Sequence, residues 1–238
     1  MCTVSFVSVD NRYFITSNRD EHISRPSAQK PQEEVIGDTR ILFPKDPKAG
    51  GTWFALNEYG VVSVLLNGAF VRHTSAGNYR RSRGLILLDV ISSDNPETKL
   101  WEMELYNIEP FTMVLFNSEL LEFRWDGNQK YFRPLDKTKN HIWSSSTLYE
   151  DKVIEHRAQL FGRFIDQNPV IGASDVVNFH STNHDDFENG FIIDRGSGLK
   201  TFSVTQVVLE EDETLMRHLD LLNNASYEVP FSSNQLIL

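Results

Sequence analysis

Cys2-Thr-Val-Ser-Phe-Val-Ser-Val9, Asp10-Asn11 and Arg12-Tyr-Phe-Ile-Thr-Ser-Asn-Arg-Asp-Glu21 read as one hairpin at the start of the chain. The first run is rich in β-branched residues and suits a strand. Asp10-Asn11 is a turn signal, and residues 12–18 read as the returning strand. A two-residue turn pairs Val9 with Arg12. Each step outward moves one residue along both strands, so Cys2 falls opposite Arg19, between Asn18 and Asp20. The hairpin thus carries the polar run Ser17-Asn18-Arg19-Asp20-Glu21 back to the first residues. Side chains alternate between the faces of a strand. Asn18 and Asp20 therefore share one face, and Arg19 takes the other.

Cysteine occurs once, at position 2. Removal of Met1 would give Cys2 both a thiol and a free α-amine. A nucleophile needs a base for its proton, and an N-terminal residue can use its own amine. That amine titrates at about 7.7–8.0, near where such a base works best. The plain alternative is that Cys2 is the small second residue of an ordinary start.

Met1-Cys2-Thr3 followed by Asn18-Arg19-Asp20-Glu21 resembles the NRDE family, whose animal member is the transport and Golgi organisation 2 protein. The resemblance continues in Gly50-Gly51-Thr52-Trp53, Leu66-Asn67-Gly68, Ser82-Arg83-Gly84 and Lys200-Thr201-Phe202-Ser203, and so spans nearly the whole chain. Leu56-Asn57-Glu58-Tyr59-Gly60-Val61 followed by Leu65-Leu66-Asn67 is similar, more distantly, to choloylglycine and penicillin V hydrolases. These are N-terminal-nucleophile amidases that begin with a cysteine. The resemblance implies Cys2 as nucleophile, Asp20 as the carboxylate that holds the α-amine, Asn67 as an oxyanion donor and Asn18 as a polar neighbour of Asp20. Two positions depart from the hydrolase pattern. Ser17 stands where those enzymes have an arginine, and Ser145 in Trp143-Ser144-Ser145-Ser146 stands where they have a second asparagine. Loss of one oxyanion donor typically costs ~10²–10³ in rate.

The chain has 238 residues, 40% hydrophobic and 24% charged, with no linker, repeat or low-complexity segment, and reads as one domain over 1–238. A single cysteine excludes an internal disulfide framework and suits a reducing compartment, so a cytoplasmic location is expected. No apolar run approaches the ~18 residues of a membrane span, and the start carries no basic, apolar leader. A net charge of −10 argues against nucleic acid or an anionic membrane as partner. Phosphate loops and dinucleotide fingerprints are absent, and no cofactor is expected.

Strands are expected at 2–9, 12–18, 53–56, 61–66, 111–116, 120–125, 129–133, 142–145, 190–194 and 200–208. Asp126-Gly127 joins two of them as a hairpin turn, making 111–133 a meander. Helices are expected at 80–93, 96–106, 149–167 and, after a Ser174 cap, 174–180. Val153, Ile154, Leu160, Phe161 and Phe164 give the third helix an apolar stripe facing a core. This pattern alone supports an α+β fold. The resemblance implies its four-layer αββα form, with two mainly antiparallel sheets packed face to face.

Other candidates read two ways. Trp53 and Arg19 are placed at a substrate pocket with Ser145, though Trp53 suits a core equally. Arg80-Arg81-Ser82-Arg83 reads as a solvated helix start or as an anion clamp. His180-Ser-Thr-Asn-His184 has i, i+4 spacing without the glutamate of a zinc-protease motif and reads as a loop, with no metal expected. His141 and His156 read as structural. Glu210-Glu211-Asp212-Glu213 reads as an exposed acidic turn. Two functions stay open: a cysteine hydrolase of a linear amide, or a non-enzymatic carrier of a small hydrophobic molecule such as lipid or haem, the latter implied by the NRDE resemblance.

Overall fold

The computed structural model describes residues 3–210 and 214–232. The opening hairpin forms in the register expected from sequence. Strands β1 (Thr3–Val9) and β2 (Arg12–His22) run antiparallel, with Val9 facing Arg12 and Thr3 facing Asn18. Asp10 and Asn11 hold φ of 49° and 60°, the positive values that a type I′ turn requires of both central residues. Cys2 lies outside the described residues, as do Glu211, Asp212 and Glu213 of the acidic turn.

Thirteen strands among the described residues form two antiparallel sheets. In the first, β1 is flanked by β2 and by β10 (His141–Ser144). The sheet continues from β2 through β11 (Leu199–Leu209), β12 (Thr214–Asp220) and β13 (Ala225–Pro230). The second is a plain meander of β3 (Gln29–Ile36), β4 (Thr39–Lys45), β5 (Phe54–Asn57), β6 (Val62–Asn67), β7 (Phe111–Asn117), β8 (Glu119–Trp125) and β9 (Lys130–Leu135). Val4, Phe6 and Ile15 of the first sheet meet Trp53, Phe54 and Val64 beside or within the second. Helices α1 (Arg83–Ile91) and α2 (Pro96–Glu102) cover the outer face of the second sheet through Leu87, Val90 and Leu100. Helices α3 (Asp151–Gln167) and α4 (Ala173–His180) cover the first through Phe161, Val176 and Phe179. The result is the αββα sandwich. With both faces of the first sheet covered, β2 is buried almost throughout and shows no alternation of apolar and polar residues.

Four strands escape the sequence reading. β3 and β13 are outer strands rich in polar residues, with exposed positions along their length. They lack the apolar signature of a central strand. β4 and β12 pair with them and fill the gaps. The strand expected at 190–194 is reduced to a single bridge between Asp194 and Lys200, because Ile192 N–H bonds instead to Thr182 O and the segment folds back on the 182–190 turn. α4 starts at Ala173 rather than after Ser174. Its first N–H groups are served by Gly172, whose own N–H is accepted by Asp175.

A bulge interrupts the β2–β11 ladder: Thr201 faces Asp20 and Ser203 faces Arg19, leaving Phe202 as the extra residue. A bulge re-aims side chains. Here Thr201 stays on the helix side with Asp20, while Phe202 approaches Arg19 from the inter-sheet side.

α1 docks by backbone contact. Thr52 N–H points to Gly84 O at 3.4 Å. A Cβ placed on Gly51 would sit 2.4 Å from Gly84 C, and one on Gly84 2.7 Å from Thr52 O. Neither backbone can yield as a side chain does. Gly51→Ala or Gly84→Ala is therefore expected to destabilise the fold by about 2 kcal/mol or more, read as a lower urea midpoint at unchanged slope.

Candidate functional site

Three successive residues at the end of β2 look into two different layers. Arg19 points between the sheets and is 2% exposed. Its Nη2 donates to Asp46 Oδ2 at 3.0 Å, and its guanidinium lies 4.7 Å from the Trp53 ring and 5.5 Å from that of Phe202. Its Nη1 is buried without a hydrogen-bond partner. Burial draws the Arg19 pKa down, opposed by Glu21 and Asp46. Asp46 also accepts from Arg25 at 2.7–2.8 Å and from the N–H groups of Lys48 and Ala49. Burial works against its ionisation, but Arg25, Arg19 and the Ala49 N–H together hold its carboxyl below the usual range.

Arg19, Arg25 and Asp46 form one wall of a cleft of about 360 Å³. Trp53, Asn67 and the start of α1 form others. The Gly51–Gly84 contact brings Arg81, Ser82 and Arg83 to this wall, so the segment is a helix start, capped by Ser82 Oγ, that also lines the cleft. Arg83 pairs with Glu109 at 3.0 Å and Arg81 with Asp89 at 2.7 Å. Burial lowers the Arg83 pKa, and Glu109 opposes it. The lining holds four arginines, at 19, 25, 81 and 83, against three carboxylates, at 21, 46 and 109. With Asp89, the partner of Arg81, the charges balance, so the cleft is rich in guanidinium groups, each of them ion-paired.

Asn67 closes β6 beside the cleft, and its Oδ1 is buried without a partner. Ser145 lies next to it, but the Ser145 hydroxyl donates to Asn67 O at 2.8 Å and meets Thr147 Oγ1 at 2.9 Å. With its one proton on Asn67 O, Ser145 accepts from Thr147. It braces Asn67 from behind and is not among the residues lining the cleft. Trp53 is buried in the inter-sheet core and also lines the cleft.

On the helix side, Asn18 Nδ2 donates to the carbonyls of His180 and Phe191 at 2.9 and 3.0 Å. Its Oδ1 must then accept from His180 Nδ1. That fixes the proton of His180 on Nδ1, so Nε2 accepts from Ser5 Oγ at 2.7 Å. Burial, with Arg157 and His184 adding to it, lowers the His180 pKa to about 3. His180 is therefore a buried neutral link at the end of α4, not part of a loop, and no metal-holding group of acids and histidines occurs among the described residues. Asp20 accepts from Tyr149 Oη at 2.9 Å and from Thr201 Oγ1 at 2.6 Å. His141 bonds to Asp136 O, and His156 is exposed on α3. Sequence reasoning did not find Asp46, Glu109, Tyr149 or Arg157. The only local signal was Tyr149 just before a helix, and the others are drawn in by tertiary contacts.

The family model for Transport and Golgi organisation 2 matches residues 1–191. The chain belongs to that family. No curated protein matches the sequence. Among solved structures, the chain is similar to a variant of the conjugated bile acid hydrolase from Clostridium perfringens. That match has 13% identity and a TM-score of 0.60, covering 100% of this chain and 94% of that chain. A second variant of the same hydrolase is 11% identical with a TM-score of 0.56 and the same coverage. An N-acylethanolamine-hydrolyzing acid amidase orthologue from Caenorhabditis elegans is 11% identical with a TM-score of 0.60, covering 86% of this chain and 92% of that one. At these identities the likeness establishes the fold, that of N-terminal-nucleophile hydrolases. No helix among the described residues is long and apolar enough to cross a membrane.

Burial of His180 and His218 makes the stability of this family member acid-sensitive. Their folded pKa values, about 3 and about 4, lie below the ordinary 6.5. The unfolded state binds more protons in that interval, so stability is full above about pH 6.5 and falls as pH drops toward 4. Denaturant unfolding followed at pH 7, 6, 5 and 4.5 should show this decline, with net proton uptake on unfolding at pH 5. A flat profile would mean that neither histidine is neutral and buried in solution.

Proposed function

We propose that this chain is a cysteine N-terminal-nucleophile hydrolase of linear amides, acting through Cys2 after removal of Met1, with residues 1–238 as one domain. The observation that carries this reading is the β1 register. Thr3 faces Asn18 on one side and Ser144 on the other. The N-terminal end of β1 therefore lies between β2, which bears Arg19 and Asp20, and β10, which leads to Ser145, whose hydroxyl bonds to Asn67 O. The second bile acid hydrolase variant has alanine in place of a cysteine at its own second position. This chain also has a cysteine there.

In this mechanism the α-amine takes the thiol proton and the thiolate attacks the amide carbonyl. Asp20 holds the resulting ammonium. Asn67 Nδ2 donates to the tetrahedral oxyanion, with Ser145 fixing the Asn67 backbone. The C–N bond breaks as the ammonium returns its proton to the leaving amine, giving an acyl-Cys2 thioester. Water then attacks, the amine again accepting the proton, and releases the carboxylic acid and the free thiol. Asn18 acts as a positioning residue, because all of its side-chain bonding is spent on His180 and Phe191. Arg19 and Trp53 contact the substrate from the cleft wall.

The cleft also bears on the alternative, a carrier of a hydrophobic molecule. Its lining includes four arginines and three carboxylates, which suits a polar substituent on an amide better than a wholly apolar cargo.

Intact mass of protein made in a cell should lack Met1, and a panel of linear N-acyl amides should be hydrolysed. Asn67→Ala should lower turnover by about 10²–10³ while leaving alkylation of Cys2 near wild type, because an oxyanion donor acts in the transition state. Retention of Met1 in most molecules would sink the enzymatic reading and leave the fold untouched.

A further inference from the structure

Arg157 is 0% exposed and, among the described residues, forms no ion pair. It rises from α3, on the helix otherwise read as a core stripe. Its Nε donates to Asn189 O at 2.9 Å, its Nη2 to Gly190 O and its Nη1 to Thr3 Oγ1. Its guanidinium also lies 3.7 Å from the centre of the Tyr149 ring, and Arg195 lies 5.2 Å from the same ring. Tyr149 Oη in turn donates to Asp20 Oδ2. The second oxygen of Asp20 accepts from Thr201, whose own oxygen is fixed by the Ile193 N–H at 2.9 Å.

A buried guanidinium without a carboxylate is costly to maintain, and so is a buried carboxylate. Here the two are linked through one aromatic ring. Cations over a tyrosine face polarise the ring and strengthen its hydroxyl as a donor. Arg157 also grips the residue that follows Cys2. One side chain thus fixes Thr3 directly and Asp20 through Tyr149.

We infer that Arg157, Tyr149 and Thr201 are the positioning residues of the proposed reaction, holding Asp20 aimed at the N-terminal end of β1. This rests on the hydrolase reading, in which Asp20 binds the Cys2 amine. A structural role alone leaves the chemistry of Cys2 unmoved when the hydroxyls are removed; a positioning role changes it. Other charged or titratable groups on this side are His180, Arg157 and Arg195. Burial lowers the pKa of His180 on α4 to about 3, and Arg157 and Arg195 face Asp20 only across the Tyr149 ring.

The test is the pH dependence of iodoacetamide alkylation of processed, full-length protein, where Cys2 is the single thiol. Wild type should react with a midpoint below that of a free cysteine, about 8.5. Tyr149→Phe keeps the ring beside Arg157 and deletes only the donor; Thr201→Val deletes the other. Each should slow labelling at pH 7 about tenfold, equivalent to an upward shift of about one pH unit. Thr201→Ser should restore the wild-type profile. Urea midpoints measured alongside separate folding loss from this effect. Wild-type midpoints in both Tyr149→Phe and Thr201→Val would overturn the assignment while leaving the hydrolase reading in place. A wild-type Cys2 no faster than a free cysteine would overturn the hydrolase reading, and the positioning role with it.

Discussion

Strand β2 carries charge on both faces while both faces are buried. Arg19 is enclosed between the sheets, and Asp20 is enclosed on the helix side against Tyr149 and Thr201. Each is only 2% exposed, so each draws most of its partners from the protein. That requirement organises the polar architecture on two sides of one strand. Between the sheets, the turn after β4 supplies Asp46, which also recruits Arg25. Outside, Tyr149 and Thr201 serve Asp20, and Arg157 stands behind Tyr149. The cleft and the helix-side network are therefore two answers to the same electrostatic constraint, set by adjacent residues.

Two backbone irregularities make those answers geometrically possible. Without the bulge, the register held from Leu209 to Ser203 would continue and put Phe202 opposite Asp20 and Thr201 opposite Glu21. The extra residue at the bulge lets Thr201 reach Asp20 while Phe202 still covers the Arg19 guanidinium. The Gly51–Gly84 contact plays the matching part in the second sheet. Only residues without Cβ let α1 approach so closely, and that approach delivers Arg83 and its partner Glu109 to the cleft.

The sandwich shared with bile acid hydrolase and N-acylethanolamine amidase survives at 11–13% identity. A fold hosts unrelated functions, so the chemistry has to be argued from the site. What distinguishes this site is a cleft rich in guanidinium groups. Its Asn67 is braced by a serine whose proton is already committed to a backbone carbonyl.

The hairpin register, the face taken by each of Asn18, Arg19 and Asp20, the α+β class and the β7–β9 meander follow from the sequence itself. A two-residue turn fixes pairing, and strand periodicity fixes facing, through local covalent geometry. Strands β3 and β13 were invisible because their side chains are largely polar and their identity comes from the neighbour they pair with. Tertiary structure alone decided the partners. Asp46, Tyr149, Arg157 and His180 lie between 27 and 175 residues from the β2 or β1 groups they bond to or serve. No local pattern encodes which distant polar group will neutralise a charge once both are buried. That choice is made by packing, when the layers close and water leaves.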